Sequence, residues 1–281
     1  KGAKYCNAAC KKKHRSKHKK NCERRVAELH DIELFKQPPL KEDCPICMLP
    51  LPLVSDDDPS QNPNIYQSCC GKYLCCGCAC AMASNDCPFC RKPVSSSGKE
   101  SIDRLNKRMK AGDADAFNMK GAGYLFGTSG LQKDTDKALE LFLRAAELGS
   151  VEAHNNIAIC YDGGVGVEID REKYMYHHQQ AAIRGCAMSR HTLGALEANA
   201  TAGNIDRAMK HWMISAGNGC EESLNSIRTE LMRGRATKFE YETALRDYQA
   251  YIDEVKSYQR DVALKKGMSG ESKWVNFGAQ R

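Results

Sequence analysis

The stretch ALELFLRAAELG, Ala138 to Gly149, decides the fold. Ala138, Leu141, Phe142, Ala145 and Leu148 recur at intervals of three and four, so they share one face of a helix. Gly149 closes the run, because glycine accepts the left-handed backbone that ends helices. The pattern then repeats. Ala145-Ala146 returns as Ala181-Ala182, 36 residues on, and Gly149 returns as Gly185 and Gly219, after 36 and 34 residues, with Gly112 one repeat earlier. Ala116, Ala153 and Ser189 are spaced by 37 and 36, and Tyr124 and Tyr161 by 37. Self-similarity at such a period marks an array of stacked helix pairs. Between two helices of one unit, Gly163-Gly-Val-Gly166-Val supplies a loop, and Asp170 is placed to cap the next helix. Gly163-x-x-Gly166 is no phosphate cradle, since no strand precedes it.

The unit resembles the SEL-like repeat, a relative of the tetratricopeptide repeat. The likeness spans residues 113–149, 151–185 and 187–219, and the array is expected over 113–235. Residues 96–112 read as a linker and half-repeat cap, 236–266 as one long capping helix, and 267–281 as a mobile tail. Phe239, Leu245, Tyr248 and Tyr251 fall on one stripe of the capping helix. The third unit departs from the others: Glu197 replaces the tyrosine and its loop is two residues shorter. The resemblance implies a superhelix whose concave face takes a protein client. Tyrosines, methionines and Trp212 read as packing residues, and His177, His178, His191 and His211, lacking ligand spacing, as surface histidines.

Upstream of the array the chemistry changes. Of 16 cysteines, ten lie within residues 44–90, three within 6–22, and only Cys160, Cys186 and Cys220 elsewhere, where they read as small core residues. The dense region holds Cys44-Pro-Ile-Cys47, Cys69-Cys70, Cys75-x-x-Cys78 and Cys87-Pro-Phe-Cys90. Tetrahedral zinc takes four soft ligands, so two pairs close one site and four pairs imply two ions. Clustered pairs without a signal peptide argue for metal in a reducing compartment, cytoplasmic or nuclear, rather than disulfides.

Order and spacing resemble the RING finger over residues 41–95, in which alternate pairs share a metal. The resemblance assigns Cys44, Cys47, Cys75 and Cys78 to one zinc and Cys69, Cys70, Cys87 and Cys90 to the other. The family's second site usually has Cys-x-His; here Lys72 stands at the histidine and Cys69 is the expected substitute, with Cys76 a rival ligand and Cys80 a spare thiol. By the same resemblance Ile46 and Pro88 belong to the groove that docks a ubiquitin-conjugating enzyme, and Arg91 matches the position that locks ubiquitin onto that carrier. A RING ligase has no catalytic nucleophile and works by proximity.

The formal net charge is +7, yet residues 1–30 alone carry eleven Lys/Arg against Glu23 and Glu28. That head reads as a solvated or localisation patch ahead of nucleic-acid binding, as no aromatics interleave the basic run. Within residues 1–25, Cys6, Cys10, His18 and Cys22 resemble the second half of a MYND finger whose earlier pairs would precede Lys1. They are a candidate third zinc site, with His14 a rival ligand and a loose basic helix the alternative. Residues 26–40 read as helix and linker. No apolar run approaches the ~20 residues of a membrane span, so no membrane partner is expected.

The expected fold is therefore multidomain and mainly α, a small cross-braced zinc finger followed by a helical solenoid. This order of modules resembles proteins of unicellular algae. The expected function is a ubiquitin ligase holding a conjugating enzyme on the finger and a client on the solenoid. The alternative is a non-catalytic adaptor.

Overall fold

The computed structural model describes residues 19–39, 42–53, 64–82, 86–200 and 203–265. Cys6, Cys10, His14, His18 and the tail 267–281 lie outside them. Residues 1–38 and 39–281 form separate units. In the first, helix α1 (Lys19–Leu34) is continuous, and Cys22 and Leu34 are buried.

In the second unit, a cysteine-rich module leads into a helical array. The module has a hairpin of β1 (Asn64–Gln67) and β2 (Lys72–Cys75), paired antiparallel with Ile65 opposite Leu74, and a short helix α2 (Cys76–Ala81). The array comprises α3 (Gly98–Lys110), α4 (Ala114–Phe126), α5 (Thr135–Glu147), α6 (Val151–Gly163), α7 (Arg171–Ile183), α8 (Ala187–Asn199), α9 (Ile205–Ala216), α10 (Glu221–Met232), α11 (Lys238–Val255) and α12 (Tyr258–Lys265).

Local sequence explains the helix starts. Asp134, Asp170 and Asn204 each accept a hydrogen bond from the backbone N–H three residues on, satisfying an otherwise orphaned donor at the head of α5, α7 and α9. The donor residue also reaches the preceding helix. Lys137 lies 5.5 Å over the Tyr124 ring and Lys173 4.9 Å over Tyr161. In the third unit Arg207 meets Glu197 at 2.9 Å, so the tyrosine's replacement exchanges a cation–π contact for an ion pair.

The helix pairs interlock through one recurring position. Phe142 of α5, His178 of α7 and Trp212 of α9 are all buried. Opposite Phe142 and Trp212 stand Gly121 and Gly194, where an added Cβ would come within 2.7 and 2.5 Å of the facing ring. Glycine there admits a large ring, and burying such a ring contributes about 2–3 kcal/mol.

The structure corrects several readings. His178 and His211 are buried rather than on the surface. His178 is held by a hydrogen-bonded set, its Nδ1 at 3.0 Å from Ser189 Oγ, which donates to Asn155 Oδ1 at 2.8 Å. A satisfied polar group can occupy a core position without costing the full desolvation penalty. Cys186 is only half-buried, at the N-cap of α8, whereas Cys160 and Cys220 are buried as expected, Cys220 at the N-cap of α10, the place Ser150 takes before α6. The capping segment is two helices broken at 256–257, and on it Phe239 and Leu245 are exposed while Tyr251 is buried. The polar stretch before the array is already helical from Gly98, with Ser97 as its cap.

The cysteine-rich module and the array share a core. Tyr66, Leu105 and Ala116 are buried together, with Tyr73, Ile102, Met109 and Met119 around them. At its edge Tyr66 donates to Asp113 Oδ2 at 2.7 Å, and Arg108 Nε donates to the same oxygen at 2.8 Å. The Gly71 backbone turns directly over this group at a φ of +74°.

Candidate metal centre

Two stretches of the module fold into the same knuckle. Cys44 N–H donates to Leu49 O at 2.9 Å and Met48 N–H to Cys44 O at 2.8 Å. Cys87 N–H donates to Lys92 O at 2.8 Å and Arg91 N–H to Cys87 O at 2.9 Å. Both turns carry a non-glycine residue in the left-handed region, Met48 at φ 56° and Arg91 at φ 58°. The conformation is uncommon for long side chains. It is held at both places by the pair of backbone bonds that aims two sulfurs the same way.

The knuckles are joined by the hairpin and α2 into two interleaved quartets. Cys44, Cys47, Cys75 and Cys78 bring their sulfurs within 4.8 Å of one another, and so do Cys69, Cys70, Cys87 and Cys90. Cys47 and Cys75 Sγ are 3.8 Å apart, and Cys70 and Cys87 Sγ 3.6 Å. A tetrahedron with zinc–sulfur bonds of about 2.3 Å has sulfur–sulfur edges of about 3.8 Å, so the spacing fits a zinc-sized ion in either quartet. Both quartets can therefore hold a metal ion.

Backbone donors prepare the first quartet. Cys75 N–H points at Cys44 Sγ at 3.4 Å, and Cys78 N–H at Cys75 Sγ at 3.5 Å. Burial works to raise the Cys44 thiol, but N–H groups of Cys47, Cys75 and Ile46 outweigh it and bring its pKa down to about 7. Burial, joined by neighbouring thiols, pushes Cys78 and Cys69 well above the ordinary thiol range. Sulfurs crowded in this way ionise together only beside a cation, so metal uptake displaces protons.

Lys72 takes no part in the second quartet; its ammonium lies 5.0 Å over the Phe89 ring. Cys69 occupies the fourth corner instead. Cys76 belongs to neither quartet, packing against Ala263, and burial raises its thiol to about 11. Cys80 is exposed. Ile46, Pro88 and Arg91 sit on the two knuckles, all exposed.

Sequence reasoning missed Arg260 and Tyr251. The Arg260 guanidinium, on α12, lies 3.6 Å from Cys47 Sγ and donates to Leu49 O and Pro50 O. Tyr251 accepts from Leu53 N–H at 2.7 Å. These contacts span 198 to 213 residues, and no local pattern announces them.

With this geometry in hand, comparison with known proteins places the array. The Sel1 repeat family model matches residues 120–150 and 151–186, so the chain carries Sel1 repeats on a helical solenoid. The cysteine-rich module lies outside both stretches. A Sel1 repeat protein from Oxalobacter formigenes is 22% identical, with a TM-score of 0.49 over 62% of this chain and 81% of that one. The antigen c5321 of uropathogenic Escherichia coli, displaying an SLR fold, is 18% identical, with a TM-score of 0.47 over 62% of this chain and 42% of its own. Immunity protein PA5088 of Pseudomonas aeruginosa is 15% identical, at 0.33 over 64% and 80%. None of the curated proteins matches the chain.

Proposed function

We propose that the protein is a zinc-dependent interaction scaffold acting as a RING-type ubiquitin ligase. Both quartets hold zinc, each contributing on the order of 10 kcal/mol to folding a segment too small to stand on burial alone. A ubiquitin-conjugating enzyme docks on Ile46 and Pro88, and Arg91 braces ubiquitin with its planar fork of donors. One observation carries the reading: two interleaved quartets build two like knuckles and leave Ile46, Pro88 and Arg91 exposed on them.

The client binds the solenoid. A groove of about 290 Å³ lined by Asn199, Trp212, Asn225 and Thr229, with Arg233 and Arg235 both paired to Glu230, offers a polar surface to a peptide. Cys6, Cys10, His18 and Cys22 are a third, amino-terminal zinc set of MYND type. The compartment is reducing, cytoplasmic or nuclear.

A second reading, a non-catalytic adaptor, is favoured by the shared core around Tyr66, which suits a module that caps the array. Autoubiquitination with a panel of conjugating enzymes separates the two. The ligase reading expects transfer by the wild type and a loss of about tenfold for Ile46→Ala, the cost of one anchor in a small interface. No transfer with any enzyme establishes the adaptor.

A further inference from the structure

Arg260 is a charged side chain only 4% exposed. Its Nη1 donates to Pro50 O at 2.9 Å and Val255 O at 2.6 Å; its Nη2 reaches Leu49 O at 3.3 Å and Cys47 Sγ at 3.6 Å. Among the described residues, none of these partners is a carboxylate. A buried guanidinium facing carbonyls and the sulfurs of Cys75 and Cys47 is costly unless negative charge lies close by.

The first quartet can supply that charge. Four thiolates around one divalent cation leave a surplus of two negative charges, buried together with Cys44 and Cys75. The fold delivers Arg260 to this place by two devices. Ser257 Oγ accepts from Arg260 N–H at 3.2 Å, starting α12 after the break that follows α11. Gly77 of α2 then lets the α12 backbone come so near that an added Cβ would lie 2.6 Å from Arg260 N.

We propose that Arg260 is the counter-charge of the first quartet, so that metal loading there and docking of α12 are one linked equilibrium. The inference rests on the zinc reading of that quartet. With metal bound, Arg260 neutralises part of the site's surplus and α12 stays docked. With the metal removed, the knuckle that presents Cys47 Sγ, Leu49 O and Pro50 O to the guanidinium is no longer held, and α12 is released. Helix α12 thus reports the state of a site more than two hundred residues earlier in the chain.

The test uses the full chain loaded with zinc and a chromophoric chelator, with alkylation mapping to show which quartet has opened. Arg260→Met is expected to weaken metal at Cys44, Cys47, Cys75 and Cys78 by about 10–100-fold, the usual effect of removing a partner behind a metal ligand. The second quartet, as internal control, holds its metal as in the wild type. Arg260→Lys, which keeps the charge and loses the fork, falls between the two. In the wild type, stripping the first metal raises hydrogen exchange across residues 258–265 by at least about tenfold, before the helices of the array respond.

Equal weakening by Lys and Met overturns the charge argument, and equal weakening of both quartets shows a general loss of stability instead. Should Arg260→Met fail to fold, the wild-type exchange measurement decides: unchanged exchange in 258–265 refutes the linkage. A wild type without metal at the first quartet overturns the zinc reading itself, whereas unweakened metal in Arg260→Met overturns this proposal alone.

Discussion

Removing the carboxylate of Asp113 should uncouple the cysteine-rich module from the solenoid. That side chain does three jobs. Its Oδ1 accepts from Asp115 N–H at 3.1 Å and Ala116 N–H at 3.4 Å, capping α4. Its Oδ2 accepts from Tyr66 at 2.7 Å and pairs with Arg108 at 2.8 Å. Loss of the cap costs about 1 kcal/mol. Loss of the tyrosine-to-carboxylate hydrogen bond costs about 1.5–3 kcal/mol, since Tyr66 is buried. The Arg108 pair adds about 1 kcal/mol or less, discounted because the guanidinium is a third exposed. Neighbouring losses do not add fully, so Asp113→Ala is expected to cost about 3–4 kcal/mol. Tyr66→Phe should cost about 1–1.5 kcal/mol. Urea unfolding of residues 39–281, followed by far-ultraviolet circular dichroism and by metal release, measures both. The two signals should move together, and the double variant should show a coupling energy of about 1 kcal/mol. Additive single effects, or metal release that keeps its midpoint while the helices melt earlier, would refute the shared-core account.

Two further outcomes follow from the interlocked helices. Burial lowers the pKa of His178 from 6.5 to about 4, so the folded state binds its proton later than the unfolded chain does. Its contribution is complete above the unfolded value, declines as pH falls from about 6.5, and is lost through about 4. It amounts to at most about 3 kcal/mol, and His178→Asn should flatten the pH dependence of the melting temperature in that window. Gly194→Val places a branched side chain against Trp212, where even a Cβ would sit 2.5 Å from the indole nitrogen. It should destabilise the third unit by about 2–3 kcal/mol; a thermal midpoint equal to that of the wild type would contradict the packing described.

Sequence legibility followed the range of the interactions. The array was readable because its apolar period and glycine stops are local and repeated. The pairing of sulfurs was readable because a C-x-x-C turn aims two ligands at once; which pairs share a quartet was implied only by the RING resemblance, as was Cys69 in place of the family's histidine. His178 and His211 were misread because a periodic pattern marks which face is buried only when apolar residues fill it. At His178 a polar ring occupies the place taken by Phe142 one unit earlier, made tolerable by Ser189 and Asn155. Cys186 was read as core from its apolar helical setting, whereas its half-buried sulfur accepts from Ser189 N–H and caps a helix start; Cys220 is buried as that setting implied. The junctions at Asp113, Tyr251 and Arg260 were invisible, since their partners lie 47 to 213 residues away and each residue looks ordinary in its own segment. Those contacts make 39–281 the unit to study, because cutting after the cysteines would expose Tyr66 and Tyr73.

Zinc stoichiometry with sulfur-edge resolution tests the central claim most directly. Residues 39–281, purified with zinc and measured by native mass spectrometry and X-ray absorption, should hold two ions, each bound by four sulfurs at about 2.3 Å. Replacing Cys44 and Cys47 by serine should remove one ion, and replacing Cys69 and Cys70 the other. A single ion, nitrogen or oxygen in the coordination sphere of the wild type, or a Cys69/Cys70 variant that keeps both ions would contradict the two-quartet account.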